Sequence, residues 1–167
     1  MKRFDLLLAL TFSILLPAAA SSQNVPTLTI KRSMTYTAKG TFVVKTTPLP
    51  PEKNVGDPLI GRLALTKTFA GDIVGTSKGQ MLGSQGEADK TSGGYVAMER
   101  VSGTVNGKKG SFSLQHSGTM GGGKYEMNII VVPGSGTGEL TGIAGTFVIR
   151  IEGGKHFYEF SYTLPPK

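Results

Sequence analysis

The chain has 167 residues, 38% of them hydrophobic, and its 18 Lys+Arg against 11 Asp+Glu give a net charge of +7. It contains no cysteine, which excludes a disulfide scaffold, Cys-ligated zinc, a thiol nucleophile and a cysteine-anchored lipoprotein. Its 24 glycines are about twice ordinary usage and its apolar content is too high for a disordered chain, so one compact, turn-rich domain is expected.

At the N-terminus, Lys2 and Arg3 precede an apolar run from Leu6 to Leu16, followed by Pro17 and Ala18-Ala19-Ala20. That order of charge, apolar core and small residues is that of a secretory signal peptide, residues 1–20, with cleavage expected after Ala20. An uncleaved anchor is the weaker alternative: about 11 apolar residues fall short of the roughly 20 that a membrane-crossing helix needs. The mature chain is therefore expected in the periplasm or outside the cell, with no membrane insertion after cleavage. Residues 21–38 are polar and rich in Ser and Thr and read as a flexible lead-in, leaving 39–167 as a single domain. Such a domain draws its stability from burial alone. None of Asn24, Asn54, Asn106 and Asn128 opens an Asn-x-Ser/Thr sequon, so N-glycosylation is not expected.

The basic residues are scattered, with Lys31-Arg32 and Lys108-Lys109 the densest points, and no aromatics are interleaved with them for stacking. A solvated basic surface is expected, and no nucleic-acid partner.

Segment 46–58 carries Pro48, Pro50, Pro51 and Pro58 and reads as a long extended loop. The rest alternates between apolar and polar residues. Strands are expected at 39–46, 60–69, 72–83, 94–105, 108–118, 124–132, 143–152 and 155–164, each bounded by turn residues. Beyond the leader there is no helical periodicity, so the fold class is all-β.

Two turns fix which side chains share a face. Asn106-Gly107 is the strongest short hairpin signal, because a type I′ turn needs positive φ at both central residues. A two-residue loop there pairs Val101 with Phe112, Glu99 with Leu114 and Ala97 with His116. Counting in twos puts Tyr95, Ala97, Glu99 and Val101 on the face of Phe112, Leu114 and His116. Gly153-Gly154 likewise pairs Glu152 with Lys155, Ile151 with His156, Ile149 with Tyr158 and Phe147 with Phe160. The second shared face is Phe147, Ile149 and Ile151 against Tyr158, Phe160 and Tyr162, with His156 at its end. The Glu152/Lys155 pair is read as a surface contact without function.

Eight sequential antiparallel strands with one apolar face each leave exposed edges unless the sheet closes. An eight-stranded antiparallel β-barrel removes them, its interior filled by side chains or holding one small ligand. A two-sheet sandwich is the alternative.

The runs YVAMERVSGTVNGKKGSFSLQHSGTM (95–120), VVPGSGTGELTGIAGTF (131–147) and HFYEFSYTL (156–164) closely resemble the bacterial family called domain of unknown function 3224 (DUF3224), and LTKTFAGDIVGTSKGQML (65–82) fits the same family. The likeness covers about residues 39–164. The family is similar to the allene oxide cyclase barrel class, which includes the dirigent proteins and shares a Gly-Thr-Gly motif followed by a second glycine cluster, here Gly136-Thr137-Gly138 and then Gly142 and Gly145. The resemblance implies an allene oxide cyclase-like eight-stranded barrel and admits a homo-oligomer. Proteins of that class steer a reactive apolar intermediate without a cofactor; their catalytic residues are not matched position by position, and none is carried over to this chain.

Glu99 and His116 are the sharpest pair, on adjacent strands and one diagonal step apart, about 5 to 8 Å between Cβ atoms. A carboxylate among apolar side chains must be paired or hydrogen-bonded, and His116 is a natural partner. Functionally this is an acid/base couple at a cavity floor; the plainer reading is a satisfied buried polar pair that fixes register. Lys67 shares parity with Leu63, Leu65 and Phe69, which look inward, but the turn at Ala70-Gly71-Asp72 leaves the register open by one residue, and a surface lysine is the plainer outcome. Arg100, of opposite parity to Glu99, is expected to point outward toward an acid on a neighbouring strand. His156, Tyr158 and Tyr162 suit the polar rim of a pocket walled by Phe160, Phe147 and Ile149, and equally an ordinary barrel core.

The run GSGTGELTG (134–142) does not satisfy G-x-G-x-x-G, since Glu139 and Thr141 stand where the last glycine would be, and it lacks the Lys-Ser/Thr of a P-loop. Its glycines are read as serving tight turns. Two distant histidines and no G-x-S-x-G elbow give no support to a metal site or a serine triad, and no cofactor is expected. The functional expectation is an exported barrel binding a small apolar or aromatic molecule through Glu99, His116, His156, Tyr158, Tyr162 and Lys67. The alternatives are a cofactor-independent cyclase or isomerase with Glu99 and His116 moving protons, and a packed barrel with a structural or interaction role.

Overall fold

The computed structural model describes residues 33–51, 53 and 55–166. The expected signal peptide and most of the expected lead-in fall outside the described residues. Nine strands follow in chain order: β1 Met34–Pro48, β2 Gly61–Gly71, β3 Ile73–Gln85, β4 Gly93–Val105, β5 Lys108–Gly121, β6 Lys124–Val131, the two-residue β7 Thr137–Gly138, β8 Ala144–Glu152 and β9 Lys155–Leu164. The described residues contain no helix.

Neighbouring strands run β4-β3-β2-β1-β9-β8-β6-β5, and β5 pairs back onto β4. The sheet is therefore a closed eight-stranded antiparallel β-barrel, with β7 a short addition beside Gly110 and Ser111 of β5. Closure, rather than the sandwich alternative, gives edge strands a partner and encloses the apolar faces.

Both hairpins adopt the expected register: Ala97↔His116, Glu99↔Leu114 and Val101↔Phe112 in one, Ile149↔Tyr158 and Phe147↔Phe160 in the other. Asn106 and Gly107 have φ of 46° and 78°, as the type I′ turn requires.

Three expectations are corrected. β1 begins at Met34 rather than residue 39, because residues 34–38 pair along β9 with Tyr36 and Ala38 turned toward the core. It also runs on to Pro48, which pairs with Leu63 where the strand ends, so the proline-rich loop is shorter than expected. On the surface, Glu152 keeps its register with Lys155, but its ion pair at 2.5 Å is with Arg150.

One half of the barrel is solid. Phe112, Phe160, Tyr162 and Tyr36 form a column of stacked rings with centroids 5.0 to 5.4 Å apart. The connection between β6 and β8 closes that end by dropping Leu140 and Ile143, 0% and 1% exposed, into the core. This explains the glycine-rich run. A side chain at Gly136 would meet the Leu140 carbonyl at 2.1 Å and Ile143 at 2.9 Å, so only glycine lets the loop fold this tightly.

Candidate functional site

At the opposite end the interior is open. β1, β2, β4, β5, β6 and β8 all contribute inward side chains there, among them Phe42, Leu65, Ala97, Met127 and Ile149, around a cavity of about 240 Å³. Its wall is incomplete on one side. β6 and β8 pair only at Ile130↔Thr146, so Lys124–Ile129 and Phe147–Glu152 run past one another toward the mouth without a ladder. A larger concavity of about 760 Å³ over Leu82, Val96, Ser117 and Asn128 has no buried charged residue in its lining, while one of about 510 Å³ shares Met81, Tyr95 and Met120 with the mouth.

The cavity floor carries the buried charged residues found among the described residues. Glu99, on β4, is 2% exposed, and its Oε1 accepts from Lys67 Nζ at 2.7 Å and His116 Nε2 at 2.9 Å while Oε2 accepts from Ser77 Oγ at 2.7 Å. Strand pairing brings these four together. The β2–β3 turn sets Lys67 opposite Ser77, the β3–β4 ladder sets Ser77 opposite Val101, and the β4–β5 ladder sets Ala97 opposite His116. No buried side-chain nitrogen or oxygen among the described residues lacks a partner. Desolvating an ion costs several kcal/mol, which a network with every partner in place can repay.

Burial alone would raise the Glu99 pKa. The hydrogen bond from His116 and the charge and hydrogen bond of Lys67 outweigh it and hold the pKa down at about 2. Glu99 is thus ionised at physiological pH and can only accept, so the proton between it and His116 sits on Nε2. His116 Nδ1 has no partner among the described residues yet is not a sealed unsatisfied atom, so it opens onto the cavity that His116 lines. Lys67 Nζ also lies 4.9 Å from the centre of the Phe42 ring, a cation–π contact.

Above this floor, Tyr95 lies against Gly118, where a Cβ would come within 2.4 Å of its ring. Burial, then a hydrogen bond to Tyr125, push the Tyr95 hydroxyl pKa upward. Met81, Met120 and Met127 line the mouth with His156, whose ring is 5.0 Å from that of Phe42.

Residues 38–162 match the family described as "Protein of unknown function (DUF3224)". The chain belongs to the DUF3224 family. A similar solved structure is the 1.84 Å crystal structure of a protein of unknown function from the same family in Shewanella oneidensis MR-1. It is 45% identical, has a TM-score of 0.69 and aligns over 81% of this chain and 100% of its own. No curated protein matches the chain.

In this DUF3224 barrel, Glu99, His116 and Lys67 converge at one point, and His156 stands at the rim above them. The surface position weighed for Lys67 is thereby corrected: it is 6% exposed, because the β2–β3 register sets it inward with Leu65 and Phe69. The rim position read for Tyr158 and Tyr162 is also corrected. Tyr158 is 3% exposed and its hydroxyl accepts from the Ile73 amide at 2.7 Å, while the Tyr162 hydroxyl accepts from Asn106 Nδ2 at 3.0 Å; neither lines the cavity. Arg100 points outward as expected, but it donates to Ser111 Oγ at 2.6 Å and meets no acid among the described residues.

Sequence reasoning missed Ser77, Phe42, Tyr95 as a cavity residue, and the three methionines. For Ser77 a signal existed: Gly75, Ser77 and Gly79 are small residues at alternate positions, which leaves room on one face of β3 for a large polar group opposite.

Proposed function

We propose that this protein is a binding module that holds a small apolar molecule in the open end of its barrel. The observation that carries the reading is the change in the interior along the barrel axis: solid aromatic packing at one end, a cavity of about 240 Å³ at the other, and at the boundary an ion network centred on Glu99. An apolar cavity of about 150 Å³ takes benzene, so this one suits a ligand a little larger. Flexible methionines make an adaptable mouth. The short β6–β8 ladder offers a lateral way in.

An isomerase or cyclase on the same cavity is the second reading, supported by the cavity-facing Nδ1 of His116. In it His116 is the proton-transfer group, because Glu99 is ionised and has both oxygens engaged. A wholly packed barrel with a structural role fits the far end but leaves the cavity without a purpose. Export by the leader-like residues 1–20 belongs to the same proposal, and a mature N-terminus at Ser21 in protein recovered from outside the cytoplasm is its check.

The test is native mass spectrometry of the purified protein followed by denaturation. A stoichiometric small molecule released from the wild type, and lost from Ile151→Trp, where a large ring on the exposed rim obstructs the mouth, supports binding. An unliganded wild type that also takes up no apolar probe overturns it.

A further inference from the structure

The polar groups on the cavity floor are unequally satisfied, and the inequality specifies the chemistry of what enters. Glu99 is the acceptor of the network, and it is sealed off: its side chain is 0% exposed and its two oxygens receive three protein donors. Lys67 is a donor with capacity left. Its ammonium has three N–H groups, and Glu99 Oε1 is its one hydrogen-bond acceptor among the described residues. Its side chain is 6% exposed and lines the cavity, and Nζ lies 4.9 Å from the centre of the Phe42 ring, so what it meets beyond Glu99 is the cavity rather than bulk water.

A buried donor without a partner costs about 1–3 kcal/mol, more when charged. A ligand that brings an anionic oxygen to this point would satisfy it with a charge-assisted hydrogen bond in a region of low dielectric. A ligand that brings an ammonium would meet Lys67 as a like charge, with the neutralising carboxylate already engaged. The rest of the cavity is apolar and partly aromatic, through Phe42, Ile149 and Met127. Its volume accommodates one substituted ring.

Building on the binding reading above, we infer that the cavity takes a single-ring aromatic acid, with its ring against Phe42 and the mouth residues and its anionic oxygen on Lys67 Nζ. Lys67 is the specificity-determining residue, and Glu99 is the positioning residue that holds the ammonium at the floor. Ser77 and His116 Nε2 act through Glu99 by occupying its other acceptor sites, while His116 Nδ1 opens onto the cavity beside Lys67.

Three probes of matched shape test this on the wild-type protein by ¹⁹F NMR titration: 4-fluorobenzoate, 4-fluorobenzamide and 4-fluorobenzylamine. The benzoate is expected to bind at least tenfold more tightly than the neutral amide, and the amine most weakly. Lys67→Met is expected to abolish the preference for benzoate while retaining the amide. The wild-type comparison stands by itself if that variant does not fold. Equal binding of benzoate and amide, or tightest binding of the amine, overturns the anion inference and leaves a binding module of another polarity. Absence of binding by all three also overturns it, and the native release experiment then decides independently whether the binding reading falls too.

Discussion

Glu99→Gln is the most informative single change, because its cost can be reached by two routes. Glutamine keeps the shape but removes the charge, leaving the Lys67 ammonium buried at 6% exposure without a counter-ion. Removing one partner of a buried ion pair costs about 3–5 kcal/mol. Independently, the Glu99 pKa falls from an ordinary 4.5 to about 2, a displacement that at about 1.4 kcal/mol per pH unit corresponds to roughly 3 kcal/mol. The folded pKa is depressed, so this stability is fully present above pH 4.5 and is lost as pH falls toward about 2. Glutamine cannot titrate. The variant is therefore expected to be about 3 kcal/mol less stable at pH 7, roughly 10 °C in Tm for a domain of this size, with the gap closing between pH 4.5 and 2. Asp89 also has a lowered pKa, from hydrogen bonds of Ser92 and Thr91, but it is present in both proteins and drops out of the difference. The chain has no tryptophan, so urea unfolding is followed by far-ultraviolet circular dichroism at a series of pH values. A gap below about 1 kcal/mol at pH 7, or one that does not narrow in acid, refutes the account of Glu99 as an ionised anchor.

Tyr158→Phe removes the acceptor of the buried Ile73 amide and is expected to cost about 1–3 kcal/mol, with faster hydrogen exchange at that amide; unchanged exchange refutes the assignment. Gly118→Ala places a Cβ within 2.4 Å of the Tyr95 ring, so thermal unfolding should show a loss of about 1–3 kcal/mol that Tyr95→Ala in the same chain largely restores. Leu140→Ala opens the packed end, where Leu140 is 0% exposed. It is expected to lower the denaturant midpoint by the equivalent of about 2–5 kcal/mol, whereas a loss below 1 kcal/mol would mean the loop does not act as a plug.

The site was only partly legible in the sequence. Glu99 and His116 were placed on one face because Asn106-Gly107 fixes a two-residue turn and the strand period is two. Lys67 was not, since the turn around Gly71 permits two registers and only pairing with β1 and β3, which sets Lys67 opposite Val44 and Ser77, selects one. Tyr158 and Tyr162 show a different limit. Parity correctly turns them inward, but it says nothing of height along the barrel. At about 3.3 Å per residue, Tyr162 lies roughly 20 Å along β9 from His156 at the mouth. The methionines were invisible as a group because they stand on β3, β5 and β6 and meet only at the cavity.

The Asn106-Gly107 and Gly153-Gly154 turns and the side chains that share a face in the two hairpins they close were determined by the sequence alone, because each depends on neighbours a few positions away: a glycine that tolerates positive φ and an alternation of apolar and polar residues. The tertiary structure decided which residues of distant strands stand at the same height, how far the interior fills, and that Lys67, Ser77 and His116 all close on Glu99. Those outcomes depend on the stagger at which the sheet closes, and closure is a condition on all eight strands at once that no local segment carries.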